Sequence, residues 1–163
     1  MYLKQSDLFW ELNHDFVKAV MDRSVKKNFE AGHILFREGD AASHFYVLIK
    51  GRVRLVLGDS GQVVHTVSHA GECFGWSALL DRKTYSASAE CRQPSELMLI
   101  DGQWFARTIE EDPVSGMRFM KRLAGMIGNR LIKNYQVVSS IHVAETTRSF
   151  GTNQVAEAMD DIQ

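Results

Sequence analysis

The sequence predicts a mainly β fold with flanking helices. Three observations carry this. Residues 29–75 hold short β-rich runs broken by glycine at short intervals, the pattern of an antiparallel sandwich or barrel. Before them, apolar residues recur at helical spacing. After Pro113 they recur at heptad spacing.

The elements follow in order. Residues 6–22 read as a helix, with Ser6 or Asp7 as cap and Leu8, Leu12, Phe16 and Val20 on one face. The β-rich runs are Ile34–Phe36, Phe45–Lys50, Arg52–Leu57 and Val63–Ser68, with breaks at Gly32, Gly39, Gly51, Gly58 and Gly61. The stretch "LGDSGQV" from Leu57 to Val63 reads as a hairpin turn. Tyr85–Arg92 and Glu96–Ile100 add two strands, with Pro94 between them. Residues 101–108 return to helix. Asp112 and Pro113 then form the cap and first position of a long helix, expected over about 113–142.

That helix carries an a/d seam. Met117, Met120, Ala124, Ile127, Leu131, Asn134, Val138 and Ile141 alternate in steps of three and four, with one polar Asn in the row. The expected partner of the seam is a second copy of the chain. Phe119, Leu123, Met126 and Tyr135 fall off the seam, on a side available to the domain itself. A single broad core-facing stripe is the alternative. Gly125 and Gly128 weaken the helix by about 1 kcal/mol each relative to alanine, unless they serve a close helix crossing.

Composition bounds the function. The chain has 163 residues and a net charge of -1, so no global field draws it toward nucleic acid. No apolar run reaches the roughly 20 residues of a membrane span, and no signal-peptide core is present, which points to a cytoplasmic protein. Cys73 and Cys91 make no CxxC motif and are expected reduced and buried. They are too few for an all-thiolate iron–sulfur cluster in one chain. His65, His69 and Cys73 sit four apart, but on a strand that spacing separates them by about 13 Å, which disfavours a metal site. No nucleophile–base pair or paired carboxylates stand out, so no catalytic role is expected.

Two stretches carry a resemblance. "FEAGHILFREGDAASHFYVLIKGRVRL" places Phe29, Gly32, Ile34, Gly39, Asp40, Tyr46, Val47, Gly51 and Val53 as in the opening strands of cyclic nucleotide-binding domains. "GECFGWSALLDRKTYSASAE" resembles the phosphate-binding cassette of that family. The family includes the catabolite activator protein and the regulatory subunits of cyclic-AMP-dependent kinase. The likeness covers about residues 8–140. It implies an eight-stranded antiparallel β-roll, jelly-roll-like, with an N-terminal helix and a long C-terminal helix. The expected domain is residues 1–145, followed by a short tail over 146–163.

In the family cassette a Gly and a Glu precede a short helix whose N-terminal N–H groups face the phosphate. The Glu binds the ribose 2′-OH, and an Arg further on pairs with the phosphate. Laid onto this chain, the resemblance assigns Phe74, Gly75, Trp76, Ser77, Ala78, Leu79, Arg82, Tyr85, Ser86 and Ala87 to the ligand site. Trp76 stands at the Glu position and Tyr85 at the Arg position. Indole has one donor and no acceptor, and a tyrosine brings no positive charge. Losing both charged contacts costs about 3–6 kcal/mol, a hundred-fold to ten-thousand-fold in affinity. Arg82 and Lys83 are the cations nearest in sequence, available for rescue or simply solvated at a loop tip. Ser86 and Ser88 are either hydroxyl donors or small strand residues.

Two readings of the aromatic exchange stay open. Trp76 and Tyr85 line a pocket for another ligand, a small anionic or aromatic molecule or a weakly held cyclic nucleotide. Or they fill the cavity, leaving a dimeric scaffold that binds a partner protein. A third reading is a transcription regulator lacking its DNA module. Residues 142–163 are short of the roughly 60–80 that a helix-turn-helix domain takes, so no nucleic-acid binding is expected.

Overall fold

The computed structural model describes residues 8–58, 61–80 and 82–157, with side chains up to Gln136 in the last helix. Among these residues the order is α1 (His14–Arg23), β1 (Val25–Phe29), β2 (Ile34–Phe36), β3 (His44–Leu57), β4 (Gln62–Val67), β5 (Cys73–Phe74), a 3-10 turn (Trp76–Leu79), β6 (Ser88–Asp101), α2 (Gly102–Glu111) and α3 (Pro113–Glu157). The chain divides into two compact units, Met1–Arg122 and Leu123–Gln163. The first holds the whole sheet.

Two long strands form the spine of that sheet. β3 and β6 have 14 residues each and pair antiparallel over their length. The short strands flank their arms. β1 and β2 lie on the two arms of β6, and β5 and β4 on the two arms of β3. The mainly β, antiparallel class is as expected. The strand count differs: the described residues form six continuous strands. The expected breaks at Gly51 and Pro94 are bends within β3 and β6. There the register slips between Leu48 and Val53. A bulge of this kind turns a strand without ending it, and it tolerates a proline that cannot donate to the ladder. Counting each bent arm separately recovers eight segments.

β3 is a wall shared by two cores, because neighbouring side chains leave a strand on opposite faces. Tyr46 points into the roll, where it joins Phe36, Leu48, Val53, Leu55, Phe74, Tyr85 and Leu97. Phe45 points the other way. It meets Phe105 at 5.0 Å and Phe119 at 6.3 Å, and Phe9 lies 5.4 Å from Phe119. This second core ties the N-terminal turn, β3, α2 and the start of α3 together. Phe119, off the seam in sequence, is fully buried here.

The helix ends differ from expectation at the N-terminus. α1 begins at His14, capped by Asn13, whose side chain accepts from the Asp15 N–H at 2.9 Å. Residues 8–11 form turns instead, and Glu11 adopts a left-handed φ of 54°, which interrupts a helix. Ser6 and Asp7, the expected caps, lie outside the described residues. Asp112 caps α3 through the Ser115 N–H at 3.1 Å, as expected, and Asp101, for which no cap was expected, caps α2 through the Trp104 N–H at 2.7 Å. α3 continues to Glu157, past the expected end at 142 and into the expected tail, whose residues 158–163 lie outside the described residues. On it, Met117 and Leu131 are exposed, Ala124 and Asn134 are exposed, and Met120 and Ile127 are half-buried. The side chains of Val138 and Ile141 lie outside the described residues.

The bend in β3 depends on Gly51. Its φ is 113°, and a Cβ there would meet Ser95, with the Ser95 Cα only 2.6 Å away. Ser95 is buried and its hydroxyl donates to the Gln93 carbonyl at 2.8 Å. Gly51→Ala should therefore lose about 2 kcal/mol or more of stability, measured by urea unfolding, because strain and overpacking add.

Candidate functional site

The expected site is built where β5 leaves β3 and the chain turns back. β5 pairs Phe74 with Tyr46 and Cys73 with Val47. Gly75 follows with a φ of 75° and starts the 3-10 turn. A Cβ at Gly75 would lie 3.0 Å from the Tyr46 ring and 3.3 Å from the His44 carbonyl oxygen. Tight passage over β3, not turn geometry alone, selects glycine here. The turn covers Trp76, Ser77, Ala78 and Leu79. Ser77 is buried, and the other three are half-buried.

Tyr85 enters the roll from the other side. It is 4% exposed, and its ring stacks on Phe36 at 3.7 Å with the planes 16° apart. Tyr46 and Phe74 stack beside them at 5.1 Å. The Tyr85 hydroxyl donates to the His44 carbonyl at 2.6 Å and accepts from the His44 N–H at 3.1 Å. Burial, and then the neighbouring Tyr85, push the Tyr46 hydroxyl well above the usual tyrosine range. The backbone of Tyr85 is also fixed. Its N–H donates to the Asp40 carbonyl and its carbonyl accepts from the Gly39 N–H, both at 2.9 Å.

The remaining expected residues separate. Arg82, Lys83 and Ser86 are exposed, and Ala87 and Ser88 are half-buried. The Lys83 carbonyl accepts from the Ala42 N–H at 3.0 Å, so the segment carrying the two cations is held against the loop after β2. Ser88 accepts the Glu38 N–H at 2.9 Å.

Two close approaches connect this region to α3. A Cβ at Gly102, the first residue of α2, would lie 2.6 Å from the Ala78 carbonyl oxygen. A Cβ at Gly116, in the first turn of α3, would lie 2.7 Å from the Ile109 carbonyl oxygen of α2. The 3-10 turn, α2 and the start of α3 thus touch main chain to main chain.

Sequence reasoning missed Glu72. Its carboxylate accepts from the Ser68 and His69 N–H groups, both at 2.8 Å. His65 Nε2 lies 3.6 Å from the other oxygen, beyond hydrogen-bond reach. Burial opposes the charged carboxylate, but the adjacent His65 and the two N–H donors outweigh it and hold the pKa at about 2. The signal was a Glu following a Ser-His-Ala-Gly turn, where such a side chain caps backbone donors. Cys73 is buried beside it, and Cys91 is buried in the roll with its thiol pKa raised by burial. Among the described residues no three His, Cys, Asp or Glu side chains group to hold a metal.

Strand order, the glycine before the 3-10 turn and the helix that follows β6 decide the family. The model of the cyclic nucleotide-binding domain family matches residues 26–112, more than half of the chain. The chain belongs to the cyclic nucleotide-binding domain family. It is 30% identical over 122 residues to Rap guanine nucleotide exchange factor 3 of Homo sapiens, matching 68% of this chain and 13% of that protein. It is 24% identical to the cAMP-dependent protein kinase type II regulatory subunit of Drosophila melanogaster, over 79% of this chain and 34% of that one. It thus spans a third or less of these two relatives. Among solved structures, a candidate cyclic nucleotide-binding protein of Geobacter metallireducens GS-15 superposes with a TM-score of 0.71 and 26% identity, covering 79% of this chain and 95% of that one.

Glu72 gives a test of the turn leading into the cassette. Its folded pKa of about 2 lies below the ordinary 4.5, so its contribution is complete above pH 4.5 and is lost as pH falls toward 2. Urea unfolding of the wild type and Glu72→Gln across that range should show a stability gap that closes on the acid side.

Proposed function

We propose that this chain is a regulatory domain of the cyclic nucleotide-binding family whose phosphate anchor has become part of the core. One observation carries the reading: Tyr85 is buried on Phe36 with its hydroxyl taken by both main-chain groups of His44. A group committed in this way offers nothing to a phosphodiester. Trp76 at the Glu position has no acceptor for a ribose hydroxyl. Cyclic AMP and cyclic GMP in the usual pose then lose both charged contacts. Between the two meanings of the aromatic exchange, this burial favours a filled anchor at Tyr85. It leaves room for other ligands beside the half-buried Trp76, small anionic or aromatic molecules among them. The role is regulatory and not catalytic, and its setting is the cytoplasm; no helix among the described residues is long and apolar enough to cross a membrane.

The output runs through α3. The main-chain contacts at Gly102 and Gly116 make the posture of α3 depend on the cassette turn, and a ligand that prefers one posture shifts that equilibrium. The seam Met117, Met120, Ala124, Ile127, Leu131, Asn134, Val138 and Ile141 pairs with a second copy. Exposure of Met117 and Leu131 in the single chain supports this. A partner protein would read the dimer, and duplex DNA is not its target.

Thermal melting in the presence of cyclic AMP and cyclic GMP tests the anchor. The wild type should show no shift at micromolar nucleotide, where an anchored site at 100 times Kd would add about 2.7 kcal/mol. Trp76→Glu with Tyr85→Arg should gain binding, and Trp76→Glu alone, which leaves the buried stack intact, should gain less. Micromolar binding to the wild type would overturn the reading. The dimer is tested separately by sedimentation. Ile127→Asp with Leu131→Asp should give a monomer, since two buried charges cannot pair across a seam.

A further inference from the structure

The outer face of the roll carries a groove that the interior site does not use. Register fixes which side chains reach it. Arg54 pairs with Glu90 and Val56 with Ser88 across β3 and β6, while Leu55, Ala89 and Phe36 between them are buried inside. Ile34, opposite Glu90 on β2, therefore faces outward with Val56. These residues, with Arg37 and Glu38 of the loop after β2, line a groove of about 550 Å3. That is within the ordinary range for a small-molecule site, about 300–1,000 Å3.

The walls are fixed across long stretches of chain. The Glu38 N–H donates to Ser88 Oγ at 2.9 Å, and one Glu38 carboxylate oxygen accepts the Gly58 N–H at 2.9 Å. Glu90 is held by Arg54 at 2.7 Å and by Arg92 at 3.4 Å, and Arg54 in first place keeps its carboxyl below the usual range. Arg37 differs from its neighbours. Its backbone is anchored on the Asp40 carboxylate at 2.7 Å, but its guanidinium has no partner among the described residues. The second Glu38 oxygen has no hydrogen bond there either.

We propose that this groove binds a small zwitterion of the amino-acid class. The ligand's carboxylate pairs with the Arg37 guanidinium, its ammonium with the Glu38 carboxylate, and its apolar side chain lies on Ile34 and Val56. A dianion such as a free phosphate is disfavoured, because Glu38 and Glu90 repel it from a groove where Arg37 is the one cation unpaired among the described lining residues. Occupancy also reaches the cassette, because the Arg37–Asp40 loop holds the Tyr85 backbone through Gly39 and Asp40. This site is independent of how the interior is filled.

The test is a titration of the full chain with L-leucine, followed by the methyl resonances of Ile34 and Val56. Two probes each lack one end: isoamylamine has no carboxylate and N-acetyl-leucine no ammonium. L-leucine should give saturable shifts at both methyls. Each truncated probe should bind about tenfold more weakly or worse, the worth of a charge-assisted contact. Arg37→Gln should weaken leucine by a similar factor and bring it level with isoamylamine. Arg37 has no side-chain partner to lose among the described residues, so this variant keeps the fold. Absence of saturable shifts at millimolar leucine would overturn the proposal, as would equal binding of all three probes. Inorganic phosphate binding in place of leucine would overturn it too. Failure here leaves the nucleotide melts unaffected, so the two readings fall separately.

Discussion

The stack of Tyr85 on Phe36, with the Tyr85 hydroxyl locked to His44, is the constraint on which the rest depends. It closes the roll by joining the loop before β6 to β2, through Phe36, and to the first residue of β3, through His44. Under the proposed reading, it also converts a position that faces ligand in the family pattern into a structural one. A buried hydroxyl with both a donor and an acceptor partner is satisfied, so the aromatic core carries a polar atom without penalty. An arginine at the same place would need an anion beside it to be tolerated. The exchange thus trades a conditional core, complete only with ligand, for one complete by itself.

The sheet follows from the same economy. β3 serves two cores at once, with Tyr46 inside the roll and Phe45 among Phe9, Phe105 and Phe119. Its alternation in sequence therefore disappears, because both faces are apolar. The continuous run Phe45–Ile49 is buried throughout. Within Met1–Arg122, the roll and the helices packed on Phe45 thus share β3 as a common wall.

The class of fold was legible because glycine spacing and β-rich runs report it directly, and the cap at Asp112 was readable as an acidic side chain before a proline and a helical period. What escaped notice has physical reasons. β1 is a strand with four exposed residues out of five, so Lys26, Lys27 and Asn28 leave no apolar alternation to read. β5 has two residues, too few for any period. Gly51 and Pro94 looked like ends because both normally interrupt pairing, whereas a bulge absorbed them. The start of α1 was misplaced because Leu8 and Leu12 keep helical spacing across a turn that Glu11 breaks. At the proposed site, the resemblance set Trp76 and Tyr85 against the family's Glu and Arg. The direction of the Tyr85 ring was not legible, since it is set by Phe36 and His44, some forty residues away in sequence. Arg37 and Glu38 lay inside the matching motif and drew no separate reading.

The joints at Gly102 and Gly116 have a consequence of their own. Each presses a glycine against neighbouring main chain, with the Ala78 Cβ and the Ile109 Cγ2 as close as the carbonyl oxygens, so it behaves like a fixed gear rather than a tunable spring. Substitutions can jam such a gear but cannot grade it. Side chains around the roll can therefore change without touching either joint.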